Sequence, residues 1–368
     1  MYLLNPILYS SPLILFTGYR LWTLASKLIW KILVTALYTV LIAAYPLAET
    51  LSHRPSTAWS KDVTIVGYVG LPVLLYLVLL VVLSEVAIGL ARLFKLLSPE
   101  AVRRPRFRFA RLWISFIVPA AIVAAGAYIN NHPRIHNYAI EIPRKSSTLR
   151  ELTIAFASDF HLKDTTNPKV MERFEAKVAA ARPDIVLLGG DMVEGDRQDE
   201  KLETVEAIFK RLAPKYGVYG VPGNHDSRGA SRTFFEKAGI RLLQDTVEKI
   251  DDAFYLVGRN EGRGRGRAPV GDLLKGRDAD LPVIVVDHRP TDLDAVSRAG
   301  ADIQLSGHTH NGQLFPVNII TRGQYELAWG YKIKGGMHVF VTSGIQTWGP
   351  PIRTAGASEI LVIKVSLR

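Results

Sequence analysis

The chain contains no cysteine among its 368 residues, which excludes disulfide cross-links and any metal site built on thiolates. Metal chemistry, if present, must rest on oxygen and nitrogen donors. Internal repeats are also absent, and low complexity is confined to the Arg- and Gly-rich stretch from Gly258 to Arg267, where no regular element is expected. That stretch reads as a solvated loop, with a clamp for an anionic substrate as the alternative. No basic segment precedes the first apolar run, so a cleaved signal peptide is not expected. Acidic residues are scarce in the first part of the chain: before Thr148 there are 15 Lys and Arg against 5 Asp and Glu, a balance of +10 that leaves only +1 of the total +11 for the rest. The basic character therefore belongs to the N-terminal segment, and a nucleic-acid-binding face on the remainder is not expected.

That segment is dominated by long apolar runs. Leu28 to Ala48, Thr64 to Leu90 and Leu112 to Asn130 each approach or exceed the ~20 residues needed to cross a bilayer. Ile7 to about Ala25 is a fourth candidate, interrupted by Pro12 and Arg20, and reads equally as a re-entrant or interfacial segment. We expect a membrane domain over residues 1–130 with three or four transmembrane helices, a linker over 131–147 carrying two prolines and scattered charge, and a folded domain over 148–368. Glu85 lies inside a span but near its basic end, within reach of the interface. Arg92, Lys95, Arg103, Arg104, Arg106, Arg108 and Arg111 fall between the second and third strong spans. Such basic loops stay cytoplasmic, so the last span is expected to carry the folded domain to the outer face.

In the folded domain, short apolar runs lead repeatedly into polar motifs. Ile154–Ala157 leads into Ser158-Asp159-Phe160-His161, and Ile185–Leu188 leads through two glycines into Asp191. Val218–Val221 precedes Gly223-Asn224-His225-Asp226, Val283–Val286 precedes Asp287-His288, and Asp302–Leu305 precedes Gly307-His308-Thr309-His310. Apolar residues spaced by four within Asn167 to Arg182, namely Val170, Phe174 and Val178, predict a helix between the first two strands. Alternating strands and helices with polar residues at strand exits are how an α/β domain gathers ligands at one edge of its sheets. Carboxylate, carboxamide and imidazole donors suit Mn, Fe or Zn. A shared carboxylate can bridge two cations ~3.5–4 Å apart, the spacing that clamps both oxygens of a displacement at phosphorus. Glycines beside Asp191, Asn224 and His308 are expected to let the backbone turn and to leave room for substrate.

These five elements, in this order, resemble the pattern of the calcineurin-like metallophosphoesterases from roughly Leu149 to Arg368. The resemblance implies a four-layer α/β/β/α sandwich and two divalent metal ions, Mn first, with Fe or Zn possible. It implies Asp159, His161 and His310 on one metal, Asn224, His288 and His308 on the other, and Asp191 bridging them. His225 would be the unligated acid that protonates the leaving oxygen, with Asp226 as its orienting partner. The runs Ser306–Pro316 and Ser343–Pro351 further resemble the bacterial membrane-anchored branch of that family, which implies a multi-pass protein of the cytoplasmic (inner) membrane.

The function expected is thus that of a membrane-anchored phosphodiesterase in which a hydroxide held between two metals attacks an envelope or lipid-linked phosphodiester. Its expected partners are the lipid bilayer and that substrate. A nucleotide-lipid pyrophosphatase of the UDP-diacylglucosamine type is the alternative reaction. A catalytically silent membrane sensor or scaffold that keeps the metal site is the alternative class, opposed by the retention of His225. His53, His132, His136 and His338 lack motif context and are expected to be surface or structural.

Overall fold

The computed structural model describes residues 4–52, 58–143, 147–163, 166–194, 200–226, 229–262 and 266–368. His53, Arg54, positions 144–146 of the expected linker and 263–265 of the Arg-Gly stretch lie outside the described residues. The chain divides into two compact units, residues 1–127 with 349–352, and residues 128–348 with 353–368.

The first unit is helical: α1 (Leu4–Leu24), α2 (Leu28–Ser52), α3 (Ala58–Leu93), α4 (Pro99–Arg103) and α5 (Pro105–Asn131), whose last turn belongs to the second unit. Among the described residues three stretches are long and apolar enough to cross a membrane, Leu28–Leu51, Trp59–Leu93 and Pro105–Asn131. The interrupted first segment is one continuous helix, α1, that runs through Pro12. Helices α2 and α3 meet at a small-residue contact, where a Cβ on Gly67 would collide with the Ala44 carbonyl and the Ala48 side chain. Close backbone approach of this kind is how apolar helices associate without a hydrophobic driving force. The Arg20 guanidinium pairs with Glu85 at 2.8 Å, and Arg111 pairs with the same carboxylate. Glu85 is therefore a structural counter-ion joining α1, α3 and α5. Ser98 caps α4 by accepting the Ala101 N–H at 3.2 Å, and Pro99 occupies the first turn, where no N–H is needed. Three arginines expected in the basic loop, Arg106, Arg108 and Arg111, lie in the first turns of α5.

The second unit is an α/β sandwich. In chain order its elements are β1 (Arg134–Ile142), β2 (Glu151–Ala157), α6 (Pro168–Ala181), β3 (Ile185–Leu188), α7 (Glu200–Lys210), β4 (Val218–Gly220), α8 (Gly229–Lys237), β5 (Arg241–Leu242), β6 (Thr246–Ile250), β7 (Phe254–Gly258), α9 (Val270–Leu273), β8 (Val283–Val286), α10 (Leu293–Arg298), β9 (Ile303–Ser306), α11 (Val317–Gln324), β10 (Gly330–Lys334), β11 (Met337–Val341) and β12 (Glu359–Leu367). One sheet has the order β1-β12-β2-β3-β4-β5 and the other β10-β11-β9-β8-β7-β6. The linker expected over 131–147 gives way here: β1 fills most of it and pairs in parallel with β12 along its whole length. Its alternation of exposed and buried residues, with Ile140 and Ile142 inward, is a strand signal beneath the scattered charge.

The layering follows from the two-residue period of the strands. Ala155, Ala157, Val186 and Leu188 face a core shared with Phe174, Phe209 and Phe234 of α6, α7 and α8, whereas Ile154, Phe156, Ile185 and Leu187 face the other sheet. Ile284 and Val286 meet them there, while Val283 and Val285 point outward to Leu293 and Val296 of α10. Helices, sheet, sheet and helices thus give the four layers. Strands buried on both faces read as unbroken apolar runs, which is why β3 (IVLL) and β8 (VIVV) are legible in sequence. In α6, Asn167 accepts the Lys169 N–H at 3.1 Å and Pro168 opens the helix. Arg182 closes it in the left-handed conformation.

Candidate metal centre

The loops leaving β2 and β3 run side by side. The backbone N–H groups of Phe160 and His161 both donate to the Asp191 carbonyl at 2.9 Å, and Asp159 N–H donates to Gly190 O at 2.9 Å. On the far side, Ile345 and Gln346 donate to Ser158 O and Asp159 O at 2.9 and 3.0 Å. Within this frame Asp159, His161, Asp191, His308 and His310 all adopt positive φ, between 42° and 70°. Non-glycine residues rarely do so, and clustering of such backbone at one place is characteristic of functional sites. Two glycines make the close approach possible. A Cβ on Gly223 would strike the Asp191 carboxylate, and one on Gly307 would strike Ser158 Oγ and the Asp159 carboxylate. The room these glycines leave is filled by the carboxylates rather than by substrate.

All seven expected ligands converge. Asp159, His161 and His310 form one group, Asp191, His288 and His308 a second, and His161, Asp191 and His225 a third that overlaps both; within each, the potential ligand atoms lie within 4.8 Å of one another. Asn224 joins the second group, its Oδ1 standing 3.2 Å from His288 Nε2. Asp191 is held between them. Its Oδ1 accepts the His225 N–H at 2.8 Å, while Oδ2 lies 3.7 Å from His161 Nε2 and 3.3 Å from His288 Nε2.

The donor set fits divalent cations, because too many lone pairs face one another. His288 Nδ1 lies 2.7 Å from the Gly189 carbonyl, which can only accept, so that nitrogen carries the proton. In the neutral ring Nε2 is then a lone pair, and it faces the oxygens of Asp191 and Asn224. His161 repeats the arrangement. Its Nδ1 is 2.6 Å from Glu194 Oε1, which turns Nε2 toward His310 Nε2 at 3.1 Å. Positive charge at the centre relieves this convergence, and neutral imidazole with carboxylate and carboxamide oxygen suits Mn, Fe or Zn.

The sequence model of the calcineurin-like phosphoesterases matches residues 152–312, and a zebrafish transmembrane protein with a metallophosphoesterase domain is 30% identical over 297 residues, covering 74% of this chain and 67% of that protein. The chain belongs to the calcineurin-like phosphoesterase family. An uncharacterized metallophosphoesterase of Aquifex aeolicus is 29% identical over 242 residues, covering 63% of this chain and 91% of its own length. One of Helicobacter pylori is 29% identical over 225 residues, covering 59% of this chain and 60% of its own.

As a member of this family the chain is a metal-dependent phosphoric ester hydrolase, and three residues that its motifs do not mark help to build the centre. Glu194 is the first. Its carboxylate spans His161 Nδ1 at 2.6 Å and His225 Nδ1 at 3.2 Å. Burial would raise its pKa, but the bonds to His161 and His225 hold it well below the usual carboxylate range. The orienting role expected of Asp226 is thereby corrected. Asp226 accepts backbone N–H groups of Met192 at 2.9 Å, Val193 at 3.3 Å and Gly223 at 2.8 Å, so it ties two ligand loops together instead of holding His225. The available signal for Glu194 was an acid three residues beyond a ligand Asp, on the same strand exit.

The second is Arg353, fully buried, which donates to the carbonyls of His310 at 3.2 Å and Gln346 at 2.5 Å. Burial pulls its pKa down to about 10, still cationic at neutral pH. The third is Arg289, whose Nε donates to Glu261 at 2.6 Å and whose guanidinium reaches His308 Nε2 at 3.2 Å. The described ends of the Arg-Gly stretch are pinned rather than free, Arg259 by Asp245 at 3.2 Å and Arg267 by the buried Asp287.

Charge is distributed unevenly over the centre. Without a cation to relieve the convergence, a proton on His288 takes that role: burial would lower its pKa, but the carboxylates of Asp191 and Asp159 overrule it and push it up to about 10, and a bound metal ion would displace that proton. His308 is driven down to about 3 by burial and by the neighbouring His288 and Arg289 charges. His225, which burial would lower, is raised by its bond to Glu194 and by the Asp191 charge. Of the histidines without motif context, the three described ones have partners of their own: His136 pairs with Glu359 at 2.7 Å, His338 meets Tyr331 Oη at 2.7 Å, and His132 Nδ1 lies 2.7 Å from Tyr128 O.

Proposed function

We propose that this chain is a membrane-anchored phosphodiesterase acting on an envelope or lipid-linked phosphodiester, with its catalytic unit on the outer face of a bacterial cytoplasmic membrane. The observation that carries the assignment is the position of Asp191 Oδ2 between His161 and His288, the residue through which two ligand groups share one carboxylate. Asp159, His161 and His310 would hold one divalent ion, and Asn224, His288 and His308 the other. The chemistry such a pair supplies when bound is Lewis-acid stabilisation of the charge that develops on the phosphoryl oxygens.

The residues of the chain do the rest. Asp159 and Asp191 are fixed by backbone N–H groups, His308 N–H to Asp159 at 3.1 Å and His225 N–H to Asp191 at 2.8 Å, so their geometry is set before substrate arrives. His225, with Nδ1 on Glu194, holds its other ring nitrogen free to pass a proton to the departing alkoxide. The bond to Glu194 and the Asp191 charge raise its pKa, which favours the protonated form an acid needs. Arg289 places a guanidinium beside His308, where a non-reacting phosphoryl oxygen would find a donor. An alkoxide is a poor leaving group and needs such an acid, which favours esters over simple anion binding. The membrane-length helices and the transmembrane zebrafish relative support a substrate held in or near a bilayer.

The test is turnover by the purified, metal-loaded full chain of bis-p-nitrophenyl phosphate against p-nitrophenyl phosphate, followed by incubation with fractionated envelope lipids. Preference for the diester and disappearance of a phosphodiester lipid are expected. Preference for the monoester would overturn the diesterase assignment, cleavage of only nucleotide-lipid pyrophosphates would replace it with the alternative reaction, and metal binding without turnover of any ester would leave a sensor.

A further inference from the structure

Helix α11 is turned inside out. Its polar residues Asn318, Thr321 and Arg322 share one face, and that face lies against the 3₁₀ turn of His310–Gly312: a Cβ on Gly312 would meet Asn318 and Thr321 Oγ1, and Arg322 Nε donates to Asn311 Oδ1 at 3.3 Å. The opposite face carries Val317, Ile319 and Ile320, which are 38%, 62% and 64% exposed, and Phe315 just before the helix is 54% exposed. None of the helix's residues is buried. A helix that presents polar groups to its own protein and isoleucines outward leaves its largest apolar side chains outside the fold, and an exposed apolar surface of this kind marks a binding surface.

What covers it follows from the rest of the chain. Among the described residues three helices are long and apolar enough to cross a membrane, and the last of them ends at Asn131, with β1 starting at Arg134. Only His132 and Pro133 separate that helix from the first strand of the catalytic unit. An amphipathic helix with branched aliphatic and aromatic side chains on one face and a basic residue on the other lies in the membrane interface plane. We infer that the face formed by Phe315, Val317, Ile319 and Ile320 seats in the lipid surface of the membrane that the chain itself spans, which brings the His308–His310 loop to the depth of lipid headgroups.

The absence of native cysteine makes the test direct. Ile320→Cys and Val317→Cys, each labelled with an environment-sensitive fluorophore, are compared with Arg232→Cys, a position on α8 whose side chain is 76% exposed. Each full-length variant is reconstituted into phosphatidylethanolamine–phosphatidylglycerol vesicles. Labels at 317 and 320 should be quenched by nitroxide on the lipid acyl chains and shielded from aqueous iodide, and the label at 232 should show the reverse. Two separate positions keep the test decisive if one variant folds poorly, which its metal content would reveal. Iodide quenching at 317 and 320 equal to that at 232 overturns the inference. Shielding from both quenchers overturns it as well, and bis-maleimide cross-linking between copies would then identify a second copy of the chain on that face. Because no turnover is measured, the result is independent of the proposed substrate.

Discussion

Glu194 Oε2 lies 3.2 Å from His225 Nδ1 while Glu194 Oε1 lies 2.6 Å from His161 Nδ1, so one carboxylate sets both the proposed acid and a proposed metal ligand. Glu194→Gln keeps the shape but removes the charge. It should lower metal affinity or kcat by ~10–100-fold, the usual cost of losing a partner that orients a ligand. Asp226→Asn acts differently, because its carboxylate accepts three backbone N–H groups. It should cost roughly 1–3 kcal/mol of stability in denaturant unfolding. If Asp226→Asn shifted the acid limb of the pH–rate profile and Glu194→Gln did not, Asp226 rather than Glu194 would be the partner that sets His225.

Asp191 Oδ2 lies 3.7 Å from His161 Nε2 of one proposed ligand group and 3.3 Å from His288 Nε2 of the other. The wild-type chain should carry about two divalent transition-metal ions, as a bridging carboxylate implies. Asp191→Ala should reduce both metal occupancy and activity severely, measured by elemental analysis of the same sample used for kinetics. One ion per chain in fully active protein would exclude the two-metal centre. Mn is the expected metal, and reconstitution of stripped protein with Mn, Fe and Zn in turn ranks the three.

His225→Ala should retain metal and lose on the order of 10²–10⁴ in turnover of esters with alkoxide leaving groups. The loss should shrink for p-nitrophenolate, which departs without protonation. Equal losses for both leaving groups would instead place His225 among the metal ligands, where its proximity to His161 and Asp191 would allow it to stand.

The pair His136–Glu359 joins β1 to β12 at 2.7 Å, and it predicts a pH dependence of stability remote from the metal centre. The bond to Glu359 raises the His136 pKa above its ordinary value of about 6.5. A group raised in the folded state contributes stability that is complete below the unfolded pKa and is lost as pH rises through the folded pKa. The stability gap between wild type and His136→Asn should therefore be largest in mild acid and close as the pH rises through the raised pKa of His136. A gap independent of pH in chemical unfolding would show that only packing is lost.

Topology is checked by charge. Between Arg92 and Arg111 there are seven Lys and Arg against Glu100 alone, whereas Glu49 to Lys61 carries only Arg54 and Lys61 as basic residues. The first stretch should stay cytoplasmic, and one further crossing would then put His161, Asp191 and His310 outside. Protease added to cells stripped of any outer barrier should release the catalytic unit. Cleavage only after the membrane is opened would place the site in the cytoplasm and remove cell-wall polymers from the substrate class.

The motifs that carry the proposed ligands were legible in sequence because they follow strands buried on both faces, and such strands announce themselves as unbroken apolar runs such as Ile185–Leu188 and Val283–Val286. The membrane-length helices were legible for the same reason, as hydrocarbon without interruption. Strand β1 was not, because its partner β12 lies more than two hundred residues away and its exposed edge carries the charge and polarity of a linker. The partners of the ligands were decided only by tertiary structure. Glu194 and Asp226 are both acids a few residues from a ligand, and nothing local distinguishes them; the packing of the β3 exit against the β4 exit turns one carboxylate onto two imidazoles and buries the other on backbone N–H groups. Arg353 and the outward isoleucines of α11 belong to the same class, since a guanidinium becomes an anchor and an apolar side chain becomes a surface only through what the folded chain places beside them.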